Sequence, residues 1–371
     1  MIDKRYWIGF NLIKGIGAVR MQALIRHFGD LEAAWNAAPI ELARAGLGGK
    51  VIERIVQARK AVDLEKLWTK IEAQGIKILT WEDETYPQRL KEIEQPPPVL
   101  YIRGAYLPDD LFAVAIVGTR RVTAYGRQIT EELAAYLAAN GITVISGLAR
   151  GVDAVAHQTA LKAGGRTIGV LGSGVDKIYP PEHRGLAEKM MESGAIVSDY
   201  ALGTPPDASN FPPRNRIISG LSLAVVVIEA GETSGALITA EFAAEQGREI
   251  FAVPGSILAP QSKGTNKLIQ NGALPLLSVT DLMQALDLTR MGEQKAARMV
   301  IPSDETEARL LNVLSEEPLH VDEIRNQTEL AIEKVSATLA LMELKGMVRQ
   351  VGGMNYVAVR EVQSDYSTFK G

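Results

Sequence analysis

The stretch NFPPRNR at 210–216 sets one aromatic ring, two prolines and two arginines around an asparagine. Residues of these types can hold a chain of phosphates. Phe211 offers a face on which a base stacks, worth roughly 1–3 kcal/mol per base where such stacking forms. Pro212 and Pro213 predict an extended backbone, on which Arg214 and Arg216 point to one side while Asn215 turns inward. Tyr179 is a second candidate ring. Further cations lie in glycine-bearing segments: GTRR (118–121), GLARG (147–151), GSGVDKIYP (172–180) and PGSILAPQSKGTNK (254–267). These supply Arg120, Arg121, Arg150, Lys177, Lys263 and Lys267. Ring, guanidinium and glycine amides together hold single strands without sequence preference. The competing use of the arginine pair is internal ion pairing with Glu229 or Asp199.

These segments must be positioned by a framework, and the sequence shows one. From 112 to about 286, short β-branched runs alternate with alanine-rich helical stretches. The expected strands are AVAIVG (113–118), TVISG (143–147), RTIGVLG (166–172), AIVSDY (195–200), AVVVIEA (224–230) and EIFAVPG (249–255). Continuous apolar strands separated by amphipathic helices predict a parallel sheet covered on both faces. The fold class is therefore α/β, a doubly wound Rossmann-like domain. Ligands of such sheets sit beyond the carboxyl ends of the strands, where the cation-bearing loops emerge. The cations then gather along one rim, so a chain of net charge −4 can still present a locally basic groove.

Other chemistries are less well supplied. Asp153 and His157 stand four apart at a helix start and read as a cap and a seal rather than a catalytic pair. Asp176, Glu229 and Glu232 could serve as acids or bases, but no companion is fixed by spacing, and Glu229 reads as the partner of a rim arginine. GSGVDK has two of the three glycines of a dinucleotide fingerprint, and no GxxxxGK[ST] occurs. GETSGALITAEFA resembles the phosphate-binding turn of lysine-decarboxylase-like nucleotide hydrolases, which leaves a nucleotide-processing enzyme as the alternative function. The chain has no cysteine, and its four histidines make no metal-ligand spacing, so neither a metal nor a cofactor is expected.

Flanking regions complete the organisation. Residues 1–65 hold two passages, GIGAVRMQALIRHF and GLGGKVIERIVQA, that resemble helix-hairpin-helix or SAM-like elements, the alternative being a tight helical corner. Residues 66–111, with a short strand IKILTW and three successive prolines at 96–98, read as a connecting arm that docks onto and extends the Rossmann-like domain at 112–287. A linker at 288–303 leads to a winged-helix-like module at 304–360, which is acidic and reads as a protein-contact or accessory element, and to a tail at 361–371. No apolar run approaches the roughly 20 residues that cross a bilayer, and MIDKRYWIGF lacks a signal-peptide profile. A cytoplasmic protein with no membrane partner is expected.

Taken in order, GTRR, SGLARGVDAVAH, GVLGSGVDKIYPPEH, FPPRNRIISGLS, EAGETSGALITAEFAAEQGREIFAVPG and KGTNKLIQNGA resemble the motifs of the DNA-processing family called DprA or Smf. That resemblance implies a protein that binds incoming single-stranded DNA in natural transformation, shields it and helps load the RecA recombinase, without catalysis. It assigns DNA contact to Arg120, Gly172, Ser173, Gly174, Lys177, Phe211, Arg214, Asn215 and Arg216, and favours Lys263 or Lys267 at the far end of the rim. It also implies a homodimer joined near Leu268, Ile269 and the stretch from Leu274 to Leu277.

Overall fold

The computed structural model describes residues 3–286, 305–315, 318–328, 330–344 and 348–358. The linker expected at 288–303 and the tail at 361–371 lie outside the described residues. Two compact units form, Met1–Leu286 and Asp287–Gly371.

In the first unit the apolar runs become strands: β1 (Lys77–Thr80), β2 (Val99–Gly104), β3 (Ala113–Val117), β4 (Thr143–Ser146), β5 (Thr167–Val170), β6 (Ala195–Ser198), β7 (Ala224–Val227), β8 (Glu249–Ala252) and β9 (Leu274–Pro275). Their order in one sheet is β1-β2-β6-β5-β4-β3-β7-β8-β9. Strands β3 to β9 pair in parallel. Every residue of β3, β4, β5, β6 and β7 is buried, which is why these strands read as unbroken apolar runs rather than alternating ones. The arm extends the sheet: its IKILTW run forms β1, and β2, a second strand, pairs antiparallel with β6 on one side and β1 on the other.

From β3 the chain moves outward through β4, β5 and β6, then returns to place β7 on the other side of β3. The crevice between the carboxyl ends of β3 and β7 is thus the topological switch point, where doubly wound sheets receive ligands.

Apolar cores pack against the sheet, and two of them bear on the site. One contains Ile145, Ile168, Val225, Ile217, Ile218 and Ala240. The other joins Trp7, Phe10, Met21, Leu24 and Ile55 of the N-terminal helices to Tyr101 and Ile196 of the sheet, and includes Leu148, Leu171 and Val175 from its loops. Helices Ala18–Phe28 and Gly49–Ala61 start on Gly17 and Gly48 without a side-chain cap. Arg20 and Arg54, two of the cations in those passages, turn back onto the carbonyls of Gly15 and Lys14.

The second unit has helices Glu305–Val313, Val321–Thr328 and Ile332–Leu344 over a core of Leu310, Ile324, Val335, Leu339 and Val348. Its strands β10 (Leu319–His320), β11 (Val348–Gln350) and β12 (Asn355–Ala358) form a sheet in the order β10-β12-β11. Gly352 and Gly353, at φ 99° and 57°, make the turn between β11 and β12, as the Gly-Gly pair predicts. Three helices closed by such a hairpin are a winged helix.

Candidate nucleic-acid interface

The stretch that motivates the site is not extended. Phe211–Gly220 is a helix with its prolines in the first turn. On a helix, positions two apart diverge by about 200°, so Arg214 and Arg216 leave in different directions. Arg216 donates to Asp199 Oδ2 at 2.6 Å and to the carbonyl of Gln95 at 2.8 Å, away from the recess described next. The expectation that both arginines share one face is overturned, and for Arg216 the ion pair with Asp199 is the arrangement found.

Arg214 is 5% exposed. Its Nη1 donates to the carbonyl of Gly147 at 2.9 Å and to that of Val170, and its Nε to Asn215 Oδ1 at 3.2 Å. Burial pushes its pKa down to about 10, partly offset by the nearby Asp153 carboxylate. Asp153 accepts the N–H groups of Gly147 and Ala149 at 3.1 and 3.3 Å, while burial raises its pKa and Arg214 opposes that rise. Together they clamp the GLARG loop, in which Leu148 has φ 57° and Gly151 φ 77°. A Cβ on Gly151 would lie 2.2 Å from the carbonyl oxygen of Thr119, so this close crossing of two rim loops requires glycine.

Above this clamp lies a small recess lined by Arg120, Arg150, Tyr179, Phe211 and Arg214. The Arg120 guanidinium stands 5.6 Å from the Phe211 ring centre and that of Arg214 6.0 Å from it. The Tyr179 ring is 5.8 Å away, tilted by 32°. Gly172 lets Phe211 settle, since a Cβ there would meet the ring at 2.9 Å. Ser173 is buried, its hydroxyl donating to the carbonyl of Lys177 at 2.7 Å, which fixes the GSGVDK turn below the exposed Lys177 side chain. Gly174 sits where a Cβ would press on Asp176 and on the Ala201 carbonyl.

Beside the recess, at the switch point, a cleft of about 380 Å³ shares Arg120, Phe211 and Arg214 with it and adds Asn215, Thr119 and Thr233. The structure thus brings together Arg120, Arg150, Phe211, Arg214 and Asn215. It separates Lys263 and Lys267, which line an open hollow of about 610 Å³ with Ile257 and Ile269. Lys263 lies 3.8 Å from Glu232, and Arg150 pairs with Glu182 through Nε at 2.6 Å. Arg120, Arg121 and Lys177 make no ion pair among the described residues. At the outer strand β9, Leu274 is exposed and Leu277 is 76% exposed, whereas Leu268 packs into the core.

Two acid-base readings are also settled. Glu229 does not pair with a rim arginine: its carboxylate accepts from the N–H of Thr123 at 2.9 Å and from the Thr123 hydroxyl, holding the residue whose own Oγ1 caps the helix that follows β3. Asp153 and His157 make no hydrogen bond to each other. His157 Nδ1 meets Thr167 Oγ1 at 2.6 Å and the residue is fully buried. Burial, and then the His183 and Arg214 charges, hold its pKa at about 3 rather than 6.5. The unfolded chain takes up a proton at His157 below pH 6.5 and the folded chain does so only near pH 3, so stability falls as pH drops through this window. Going from pH 7.5 to pH 5 is expected to cost about 2 kcal/mol through this residue. Urea unfolding of wild type and His157→Gln at both pH values checks it; an identical pH loss in the two would remove His157 from the account.

Sequence reasoning missed Thr119, Thr233 and Ser234, although they lie inside the GTRR and GETSGA turns chosen for other residues. It also missed Thr123 as the partner of Glu229, for which no local signal exists.

Comparison with known proteins decides the family. The profile of the family described as DNA recombination-mediator protein A matches residues 77–287, and that of the DprA winged helix domain matches residues 294–354. The chain belongs to the DprA/Smf family. Among its relatives, Protein Smf of Synechocystis is 38% identical over 95% of this chain and 98% of its own length. The DNA processing protein DprA of Bacillus subtilis is 40% identical over 68% of this chain and 88% of its own. The solved DprA of Streptococcus pneumoniae superposes with a TM-score of 0.67 at 32% identity, covering 76% of this chain and 98% of that one. A solved DNA processing protein A of Helicobacter pylori, described for a single-stranded DNA binding mode, superposes with a TM-score of 0.51 at 32% identity, over 57% of this chain and 95% of its own. Membership makes this chain one of a DNA-processing, recombination-mediator family with a Rossmann-like sheet and a winged helix. No helix among the described residues is long and apolar enough to cross a membrane.

Proposed function

We propose that the chain binds single-stranded DNA without sequence preference in the cytoplasm, shields it during natural transformation, and helps load RecA onto it, with no chemical step of its own. The observation that carries this reading is the recess in which the Phe211 ring lies 5.6 Å from the Arg120 guanidinium, 6.0 Å from that of Arg214 and 5.8 Å from the Tyr179 ring. A base stacks on the ring while Arg120, and Arg150 once released from Glu182, meet the flanking phosphates; Lys177 and Arg121 extend the track. Arg214 and Asn215 hold the recess in shape, and Gly172, Ser173 and Gly174 shape its wall. Lys263 and Lys267 take a more distant stretch of the same strand. Arg216, tied to Asp199, serves the fold of the rim rather than the strand. Family membership and the printed DNA-binding mode of the Helicobacter pylori neighbour support the ligand class. Self-association through Ile269, Leu274 and Leu277 at the β9 edge, with Leu268 behind them, fits the exposed leucines there.

The reading is tested with fluorescent oligo-dT. Affinity falls with salt, by about 0.7 in log–log slope for each phosphate neutralised. Phe211→Ala lowers affinity about tenfold or more and leaves that slope unchanged, because stacking releases no counterions. Unaltered affinity in this variant would remove the ring from the interface. The nucleotide-processing alternative is disfavoured by the engagement of the Glu229 carboxylate with Thr123.

A further inference from the structure

The cleft at the switch point has features that gripping the middle of a strand leaves unused. One wall is the turn at 231–234 that enters the helix Gly235–Glu245. The Ser234 hydroxyl accepts the N–H of Ala236 at 3.3 Å, and the N–H groups of Thr233 and Gly235 have no partner among the described residues. A Cβ built on Gly235 would meet nothing within 4 Å, so this helix start is open to a ligand. Arg120 and Thr119 stand on the same cleft, Val117 and Ile218 give it an apolar floor, and the one carboxylate in its lining, Asp153, is offset by the buried Arg214. A volume of about 380 Å³ lies within the range of small-molecule pockets.

Charge decides what fits best. A phosphodiester inside a strand carries one negative charge, whereas a phosphate monoester carries close to two at neutral pH. Free amides at a helix start, with an exposed guanidinium beside them, favour the more highly charged group. We propose that this cleft receives a nucleoside phosphate monoester, with the phosphate at the amides of Thr233 and Gly235 and at Arg120, and the nucleoside over the apolar floor. Two sources carry that chemistry, the phosphorylated end of a strand and a free nucleoside monophosphate. The strand-end source rests on the single-strand reading above; the free nucleotide does not.

The experiment measures anisotropy with oligo-dT bearing a 5′-hydroxyl, a 5′-phosphate or a 3′-phosphate, and with a single-stranded dT circle, using dTMP and thymidine as competitors. One phosphorylated end is expected to bind about tenfold tighter than the hydroxyl end. dTMP abolishes that gain, thymidine does not, and the circle binds as the hydroxyl-ended strand does. Thr233→Glu sets a carboxylate among the same amides, a change that a helix start tolerates, and is expected to remove both the end preference and dTMP binding; its melting temperature reports whether it folds. Binding of dTMP without an end preference identifies the free nucleotide as the source. Equal affinity for all ends with no effect of dTMP overturns the proposal, as does a preference that survives in folded Thr233→Glu. If no oligonucleotide or circle binds while dTMP does, the single-strand reading fails and the nucleotide site stands.

Discussion

Arg214→Met is expected to cost about 3–5 kcal/mol of folding stability, the range for leaving a buried charge without the opposite charge that faces it. The guanidinium satisfies the carbonyls of Gly147 and Val170 and faces the buried Asp153 carboxylate. Methionine keeps much of the volume but leaves those carbonyls without their donor and leaves the Asp153 carboxylate with backbone N–H groups but no nearby cation. Urea unfolding gives the loss directly. Asp153→Asn on top of Arg214→Met is expected to recover more than 1 kcal/mol in a double-mutant cycle, because it takes away the stranded charge. A single-mutant loss below about 1 kcal/mol would mean that solvent reaches the guanidinium and that the clamp is not formed.

The second large effect concerns binding. Arg120 and Lys177 are exposed, come from different loops and make no internal ion pair among the described residues. Replacing both with alanine is expected to weaken oligo-dT binding about a hundredfold at low salt, at about tenfold for each charge-assisted contact. The log–log salt slope should fall by about 1.4, equally for oligo-dT, oligo-dC and mixed sequences. A loss confined to one sequence would point to base reading instead of backbone contact, and no loss would take these loops out of the interface.

Much of the framework is legible in the sequence because its physics is local. Strands buried on both faces need apolar side chains at every position, so β3 to β7 stand out as runs, and the Gly-Gly pair announces the hairpin of the winged helix. The stretch 210–216 misleads for an equally physical reason. Proline fixes φ near a value that suits both an extended chain and the first turn of a helix, and burial of Ile217 and Ile218 against the sheet core selects the helix. Once it is helical, Arg214 and Arg216 must part company. Partners set by tertiary contact stay hidden: Thr123 and Glu229 are far apart in sequence, and Asp199 meets Arg216 only because β6 ends beside that helix. Arg120, Arg150 and Phe211 are brought together as the loop rule for doubly wound sheets anticipates. Lys263 and Lys267 are displaced from them because they follow β8, beyond β7 in the strand order.

Leu148, Leu171 and Val175 belong to the same core as Trp7, Phe10 and Met21. The loops that present Arg150 and Lys177 are therefore rooted in an apolar core that is continuous with the N-terminal helices. Through that shared core the helices bear on the surface a strand would lie on. Loosening them would warp that surface from below while leaving each cation in place in the sequence.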